Sequence, residues 1–384
     1  MKYKICVYAI AKNEEKFVDR WFNSVKEADY IYVLDTGSTD NTVDKLKELG
    51  VVVNQKIIDP WRFDVARNEA MKMVPDDCNI LISTDLDEIL EPGWSKPLRE
   101  KWIDGVHQRA EYKYTWSHGS NGEDGRVFRY NKIHTKDWEW RAPVHELLYN
   151  KNTNSNNYYS NECLDLFDEV HLHHYPDQTK SRASYLPLLE LRAEENPDDY
   201  YGLIYLAHEY YYRGLYTKSI DLLDRIVIQF DSYIDSVDKA SCYLFKGDSY
   251  KALADIEVDP SISKMNLYSA SIAYLNAIEI DETYREPYLD LAKVYLSEKK
   301  YSLAEYYIKE GIRKSYRHYS WLERDTSWTY EPYDLLCIAT FYQDKKRDSI
   351  AYAYKALSYE PNNEHLKSNL DLCLRNTSDI ELIQ

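Results

Sequence analysis

Two aspartates separated by one residue end a short apolar run in the stretch NILISTDLDEIL, residues 79–90. Alternation along an extended chain points the side chains of Asp85 and Asp87 the same way from the strand end. Two carboxylates this close repel each other unless a cation lies between them, and oxygen ligands suit Mg²⁺ or Mn²⁺. The pattern predicts a divalent metal that contacts a diphosphate at the carboxyl end of a strand. An acidic turn that binds nothing is the alternative.

Alternating strands and helices precede this stretch. Apolar runs and helical spacing predict them at residues 4–11 (strand), 17–25 (helix), 30–34 (strand), 43–49 (helix), 51–53 with 57–58 (strand), 63–73 (helix) and 79–84 (strand). This order predicts an α/β domain with a parallel sheet, whose ligands gather at the carboxyl ends of the strands. Three later segments, 109–116, 126–130 and 144–149, are predicted antiparallel strands that make the sheet mixed.

Four motifs follow one another at these strand and helix ends: AIAKNEE, VLDTGSTDNT, FDVARNEA and STDLDE. Together they resemble the nucleotide-sugar half of family 2 glycosyltransferases of the GT-A fold, over roughly residues 3–175. The resemblance implies a UDP-sugar donor. It assigns the uridine to Ala9, Ala11, Glu14 and Asp35, donor binding also to Ser38, the diphosphate to Arg67, and ribose, metal and phosphate to Asp85 and Asp87.

The assigned residue types suit these roles, because a carboxylate accepts from uracil N3–H or a ribose hydroxyl and an arginine donates to phosphate. Alternatively, Asp35 is only a turn residue that binds no ligand, and this interpretation stays open.

A fifth segment, RAPVHELLYN at residues 141–150, resembles the V-H-E element of the tetratricopeptide-linked branch of these enzymes, which includes the glycocin peptide S-glycosyltransferases. The resemblance implies that a later histidine completes the metal site. His173 is the match and His174 the alternative, because the small residue that usually follows is absent. Glu146 or His145 is the predicted base that deprotonates the acceptor.

Two further features of the first half have open interpretations. The glycine-rich segment 117–125 is either a lid over the site or a surface turn. Trp138 and Trp140 provide either a platform for a sugar or packing aromatics.

Small residues and tyrosines recur at helical spacing in the second half of the chain, as in the tetratricopeptide pattern. The clearest small positions are Ala207, Ser219, Gly247, Ala270, Ala277, Ala292, Ala304, Gly311, Ala353 and Ala356. We therefore predict a GT-A-type domain over residues 1–176 and an all-α helical solenoid over residues 177–384. The concave face of such a solenoid commonly binds an extended peptide, although a scaffold or a homodimer interface is also open.

Composition limits the classes of partner. The chain has 384 residues and a formal net charge of −17, which argues against a nucleic-acid surface. Six cysteines lie far apart without a CxxC spacing, and no stretch reaches the length of a membrane span, so reduced thiols and a cytoplasmic location are expected.

The predicted function is an inverting glycosyltransferase that uses Mn²⁺ or Mg²⁺ and moves a hexose from a UDP-sugar to a polypeptide side chain held by the repeats. One alternative acceptor is a precursor of a cell-surface glycan. A non-catalytic adaptor with a relic transferase domain is the alternative from another class. A sugar-1-phosphate nucleotidyltransferase is disfavoured, because AIAKNEE is not a glycine-rich phosphate loop.

Overall fold

The computed structural model describes residues 3–119, 122–154, 162–177, 179–180, 183, 185–318 and 323–375. Two positions of the predicted lid, 120 and 121, lie outside this set. By its internal contacts the chain divides into two compact units, one that runs to Asn196 and one that begins at Pro197. None of the described helices has the length and apolarity needed to cross a membrane.

The first unit combines strands and helices. Its described strands are β1 (Ile5–Ala11), β2 (Tyr30–Asp35), β3 (Val52–Gln55), β4 (Ile80–Ser83), β5 (Glu88–Leu90), β6 (Arg109–Thr115), β7 (Val127–His134), β8 (Trp138–Arg141), β9 (Leu147–Asn150) and β10 (Cys163–His174). Its described helices are α1 (Val18–Val25), α2 (Thr42–Glu48), α3 (Phe63–Met71), α4 (Ser95–Lys101) and α5 (Tyr185–Glu195).

Eight of these strands form one mixed sheet in the order β3-β2-β1-β4-β7-β6-β10-β5. The strands β3, β2, β1 and β4 are parallel, as the alternation with helices predicts. Strand β7 runs antiparallel to both β4 and β6, and β10 runs parallel to β6. The predicted strand at 144–149 is observed as β9, which pairs with β8 in a separate hairpin instead of joining the main sheet.

The core of the first unit explains why β1 is central. Every residue of the strand except Ile10 is buried, as expected for a strand covered on both faces. Helix α1 contributes Val18, Trp21 and Val25, whose spacing of three and four residues places them on one helix face. The mixed-sheet α/β class predicted for the first half is confirmed.

Helix α5 packs within the first unit, which therefore continues past the predicted boundary at residue 176. The reason is a buried arginine: Nη1 of Arg192 donates to the carbonyls of Val144 at 3.1 Å and His145 at 2.7 Å. A guanidinium that satisfies two loop carbonyls fixes the helix to the β8–β9 hairpin connection.

The second unit is helical throughout its described residues. Its helices are α6 (Tyr200–Tyr212), α7 (Tyr216–Gln229), α8 (Ser236–Ile256), α9 (Pro260–Ile280), α10 (Glu286–Ser297), α11 (Tyr301–Arg313), α12 (Glu331–Phe341), α13 (Lys346–Tyr359) and α14 (Glu364–Arg375), with a 3₁₀ helix at Asp325–Trp328. Successive helices pack together, and α6, α8, α10, α12 and α14 also each contact the next member of that set. This is the packing of stacked helical hairpins in a solenoid.

Small residues allow the close approach of paired helices, as the repeat pattern predicts. A Cβ added to Gly247 of α8 would lie 2.4 Å from the ring of Tyr274 in α9, so only glycine fits there. A Cβ added to Gly311 of α11 would lie 3.1 Å from Cβ of Tyr288 in α10, a tight contact but a less severe one. Ala270, Ala277, Ala292 and Ala304 are fully buried. The tetratricopeptide-like fold of the second half is confirmed.

Candidate active site

Two turns meet at the carboxyl ends of β1 and β2. The backbone N–H of Asn13 donates to Ser38 Oγ at 2.8 Å, and the N–H of Thr39 donates to Asn13 Oδ1 at 2.7 Å. Asp35 ends β2, is fully buried and accepts from the N–H groups of Gly37 and Ser38 at 3.2 Å. Gly37 has a φ of +111°, which favours glycine. The predicted donor-binding residues Asp35 and Ser38 are thus neighbours that organise one turn.

The remaining predicted uridine residues lie on or just after β1. The side chains of Ala9 and Ala11 belong to the hydrophobic core, and the carbonyl of Ala11 accepts from Thr36 N–H at 2.8 Å. Glu14 forms an ion pair with Lys180, while its other oxygen, Oε2, is buried without a hydrogen-bond partner. Burial raises the pKa of Glu14 to about 6, against the opposing effect of Lys180. Of these three, Glu14 is the side chain with spare hydrogen-bonding capacity.

Arg67 connects three of the polar groups from its position on α3. Its Nη2 lies 3.1 Å from Asp85 Oδ2, its Nη1 donates to Ser83 Oγ at 3.2 Å, and its Nε donates to Glu146. The guanidinium also lies over the ring of Trp140, 5.3 Å from its centroid. The structure therefore brings together the predicted phosphate residue, the first aspartate of the pair and one candidate base.

Lys132 of β7 is a site residue that the sequence analysis missed. Its buried ammonium lies 3.1 Å from Asp85 Oδ2 and 3.0 Å from Glu88 Oε1, which also accepts from Tyr114 O–H at 2.9 Å. Burial acts to raise the pKa of Asp85, but the positive charges of Arg67 and Lys132 hold it well below its usual range. Asp85 is therefore ionised at neutral pH.

His174 is the histidine that faces the second aspartate, because neighbouring residues of a strand point to opposite faces. Its Nδ1 donates to the carbonyl of Trp116 at 3.2 Å, and its Nε2 lies 3.4 Å from Asp87 Oδ2. His173, the predicted metal ligand, instead contacts Glu91 Oε1 at 2.9 Å on the other face of β10. The structure thus selects the alternative histidine for the neighbourhood of Asp87.

These donor atoms fit a divalent cation. A metal-binding histidine usually donates its other ring nitrogen to a backbone carbonyl or a carboxylate, as His174 does to Trp116. The 3.4 Å between His174 Nε2 and Asp87 Oδ2 is close to the separation of about 3 Å between adjacent ligands in an octahedral site. Carboxylate oxygens suit both Mn²⁺ and Mg²⁺, and an imidazole ligand favours the transition metal Mn²⁺ of the two.

The two candidate bases, His145 and Glu146, lie in the turn between β8 and β9. The Glu146 carboxylate reaches into the cluster around Arg67, whereas the His145 ring packs edge-on against Tyr185 of α5, at 5.8 Å between centroids. His145 adopts a left-handed φ of +50°, and the two side chains contact different groups, Tyr185 and Arg67. Glu146 is the one in contact with the other predicted site residues.

Trp138 and Trp140 are packing residues in this structure. Their side chains are 1% and 4% exposed and form a small cluster with Leu148. A ring that stacks on a sugar must present a face to solvent, so the sugar-platform interpretation is not supported.

Comparison with known proteins agrees with this arrangement. Residues 6–158 match the family model "Glycosyl transferase family 2". No curated protein matches the chain. Two solved structures are similar: a tetratricopeptide-repeat protein of Thermus thermophilus, and glucosyl-3-phosphoglycerate synthase of Mycobacterium tuberculosis in complex with Mn²⁺, UDP and glucosyl-3-phosphoglycerate.

The first of these is 21% identical over 50% of this chain and 89% of its own, with a TM-score of 0.39. The second is 23% identical over 29% of this chain and 44% of its own, with a TM-score of 0.26. At such scores neither likeness establishes a fold by itself.

The first unit therefore contains a glycosyltransferase domain, in which the strand ends of a mixed sheet carry paired aspartates. That domain is of family 2, and tetratricopeptide-like helices follow it.

Proposed function

We propose that the chain is a metal-dependent, inverting glycosyltransferase that transfers a hexose from a UDP-sugar to a side chain of a polypeptide. The observation that carries the proposal is the convergence of Arg67, Asp85 and Glu146 in one set of contacts, with Asp87 and His174 beside each other at the neighbouring strand end. Structural ion pairs alone do not require Asp87 to stay partly exposed, and its side chain is 23% exposed beside the buried His174.

Each residue has a distinct part in the proposed reaction. Asp87 and His174 hold the divalent cation, which when bound supplies a Lewis acid that neutralises the diphosphate. Asp85, held ionised by Arg67 and Lys132, accepts hydrogen bonds from the ribose. Glu14, which has an unpartnered buried oxygen, and Asp35 receive donors from the nucleoside.

Glu146 is the proposed base. It takes the proton of the acceptor hydroxyl or thiol as that atom bonds to the anomeric carbon from the face opposite the diphosphate. The bond between the anomeric carbon and the diphosphate oxygen breaks, and UDP leaves with the electron pair. Inversion follows from this single displacement. The resemblance to family 2 enzymes is what supports the assignment of inversion.

A donor screen tests the class of reaction. The purified chain is incubated with UDP-, GDP- and TDP-hexoses and Mn²⁺ or Mg²⁺, and release of the nucleoside diphosphate is measured with and without a chelator. We expect slow, metal-dependent release from a UDP-sugar. If the folded protein neither binds nor hydrolyses any of these donors, the transferase assignment is wrong and a non-catalytic adaptor is favoured.

Paired variants separate the two candidate bases. Glu146→Gln keeps the size of the side chain and is expected to keep donor binding, because Arg67 retains Asp85, while transfer falls by about 10²–10⁴-fold. His145→Ala is expected to change transfer by less than about 10-fold, because its ring packs on Tyr185. The reverse result would make His145 the base.

The acceptor class rests on the second unit. Helices α6, α8, α10, α12 and α14 form a row in which each contacts the next, as in a helical solenoid, whose inner face commonly binds extended peptide. Incubation with UDP-sugar and a peptide library, followed by mass spectrometry, is expected to find peptides heavier by one hexose. Glycosylation of lipid-linked or free glycans, with peptides unmodified, would favour the alternative acceptor.

A further inference from the structure

A second group of metal-ligating side chains lies on the face of β10 opposite His174. His171 and His173 project together from this face, two residues apart on one strand. Glu91, which directly follows β5, lies beside them, because its backbone N–H donates to the carbonyl of His171 at 3.0 Å. Strand pairing thus fixes all three residues relative to one another.

The ligand atoms of these residues converge. Glu91 Oε1 lies 3.0 Å from His171 Nδ1 and 2.9 Å from His173 Nε2. In a tetrahedral zinc site with metal–ligand bonds of about 2.0–2.1 Å, neighbouring ligand atoms are about 3.3 Å apart. Each histidine nitrogen therefore needs to move only a few tenths of an ångström from the Glu91 oxygen to reach this spacing, and all three ligand atoms lie within 4.8 Å of one another.

The outer nitrogen of each histidine also has a partner that would orient it. His171 Nε2 lies 2.8 Å from Thr115 Oγ1, whose hydroxyl donates to Asp124 Oδ1 at 3.0 Å. His173 Nδ1 lies 3.1 Å from His118 Nε2. With a metal on the inner nitrogens, both outer nitrogens carry a proton and donate to these groups, so every hydrogen bond of the cluster is satisfied.

We propose that Glu91, His171 and His173 bind a divalent transition-metal ion of the Zn²⁺ type, at a site separate from the donor metal of Asp87 and His174. Two imidazoles and one carboxylate favour Zn²⁺ over Mg²⁺, and three protein ligands leave the fourth position to water. The site goes beyond the proposed transferase function. The bound ion links the end of β5 to β10 immediately before His174, so it stabilises the strand that presents that histidine to Asp87.

Zinc binding by the full chain tests the site. The protein is prepared with Asp87→Ala, which removes a carboxylate of the donor site, and is titrated with Zn²⁺ in competition with a chromophoric indicator. We expect about one tight equivalent, a thermal shift to higher temperature, and its loss in the same protein with His171→Gln and His173→Gln. His365→Gln, a change to an exposed histidine of the second unit that contacts Asp334, is the matched control.

Circular dichroism checks that each variant is folded, and Glu91→Gln provides a second test because its half-exposed side chain tolerates the change. We expect that variant to weaken Zn²⁺ binding by at least about 10-fold. Zinc binding that survives the histidine changes, or the absence of a tight equivalent in Asp87→Ala protein, overturns the proposal and leaves a hydrogen-bonded cluster. An anomalous-scattering peak at the zinc edge among the three side chains supports it.

Discussion

Both units of the chain bury charged side chains, but they do so differently. In the first unit, Arg67 and Lys132 surround Asp85, whose side chain remains 32% exposed. In the second, Asp290 of α10 accepts from Lys293 at 2.8 Å and from Arg324 at 2.6 Å, and its side chain is only 4% exposed. Similar ion pairs thus leave the Asp85 carboxylate partly exposed to solvent (the open cluster) and the Asp290 carboxylate buried (the closed cluster).

The difference indicates which cluster serves chemistry. A buried ion pair contributes little net stability but costs several kcal/mol when one partner is lost, so a closed cluster mainly holds its elements in place. The cluster at Asp290 joins α10 to the connection that precedes α12. The cluster at Asp85 keeps an ionised carboxylate partly exposed at the carboxyl ends of strands, where ligands of such sheets bind. Carboxylates with shifted pKa values occur in both clusters. The clusters differ in the solvent exposure of the central carboxylate.

The largest expected effect is the loss of donor turnover in Asp87→Asn. The change removes a charged ligand and keeps the shape of the side chain, so UDP release should fall by at least about 10³-fold, or about 4 kcal/mol of activation free energy. The measurement is metal-dependent UDP release at saturating donor. Asp76→Asn, at an exposed carboxylate paired with Lys136, is the control and should keep full activity.

Lys132→Met tests whether the open cluster also depends on its buried cation. Loss of the ammonium leaves Asp85 and Glu88 without their shared partner, so we expect the free energy of unfolding of the first unit to fall by about 3 kcal/mol. Urea unfolding followed by tryptophan fluorescence measures it, since Trp94 and Trp102 are buried in this unit. Lys101→Met, at an exposed lysine, should leave stability nearly unchanged. Equal stability of the Lys132 variant would contradict the assigned role.

Arg324→Met makes the corresponding change in the closed cluster. Asp290 would retain only Lys293, and we expect the second unit to lose about 2 kcal/mol of stability while UDP release from the donor stays unchanged. Urea unfolding followed by far-ultraviolet circular dichroism gives the first quantity. Arg313→Met, at an exposed arginine of α11, is the control. A large loss of donor turnover in the Arg324 variant would show that the two clusters do not differ as proposed.

Local sequence patterns predicted the order of strands and helices up to β4, because buried strands and amphipathic helices have distinct periods. The paired aspartates were recognisable because they follow an apolar run. Lys132 was not, because its role depends on the pairing of β7 between β4 and β6, which joins segments distant in sequence. Its only local signal is a lysine that shares a strand face with Phe128 and Tyr130.

The choice between the histidines of β10 could have been made from the sequence. Val170 and Leu172 are apolar and alternate with His171 and His173, so the apolar face that enters the core must also carry His174. The resemblance to other enzymes favoured His173, whereas strand alternation favours His174. The short strand β5 could not have been predicted, since a three-residue element has no measurable period.

The smallest expected effect concerns Asp238 of α8, a buried carboxyl outside both clusters. Burial, together with the nearby Asp235, raises the pKa of Asp238 to about 8, and its Oδ2 has no hydrogen-bond partner. The folded protein therefore keeps a proton that the unfolded chain releases above about pH 4. The contribution of Asp238 to the free energy of unfolding is largest below that pH and declines as the pH rises to about 8.

Asp238→Asn carries no ionisable proton and should remove this decline, so the variant should gain stability relative to wild type between about pH 5 and about pH 8. Urea unfolding at the two pH values measures the difference. Asp255→Asn, at an exposed position of the same helix, should unfold with the pH dependence of the wild type. A decline that persists in the Asp238 variant would place its origin in other buried carboxyls such as Glu286, whose pKa burial raises to about 7.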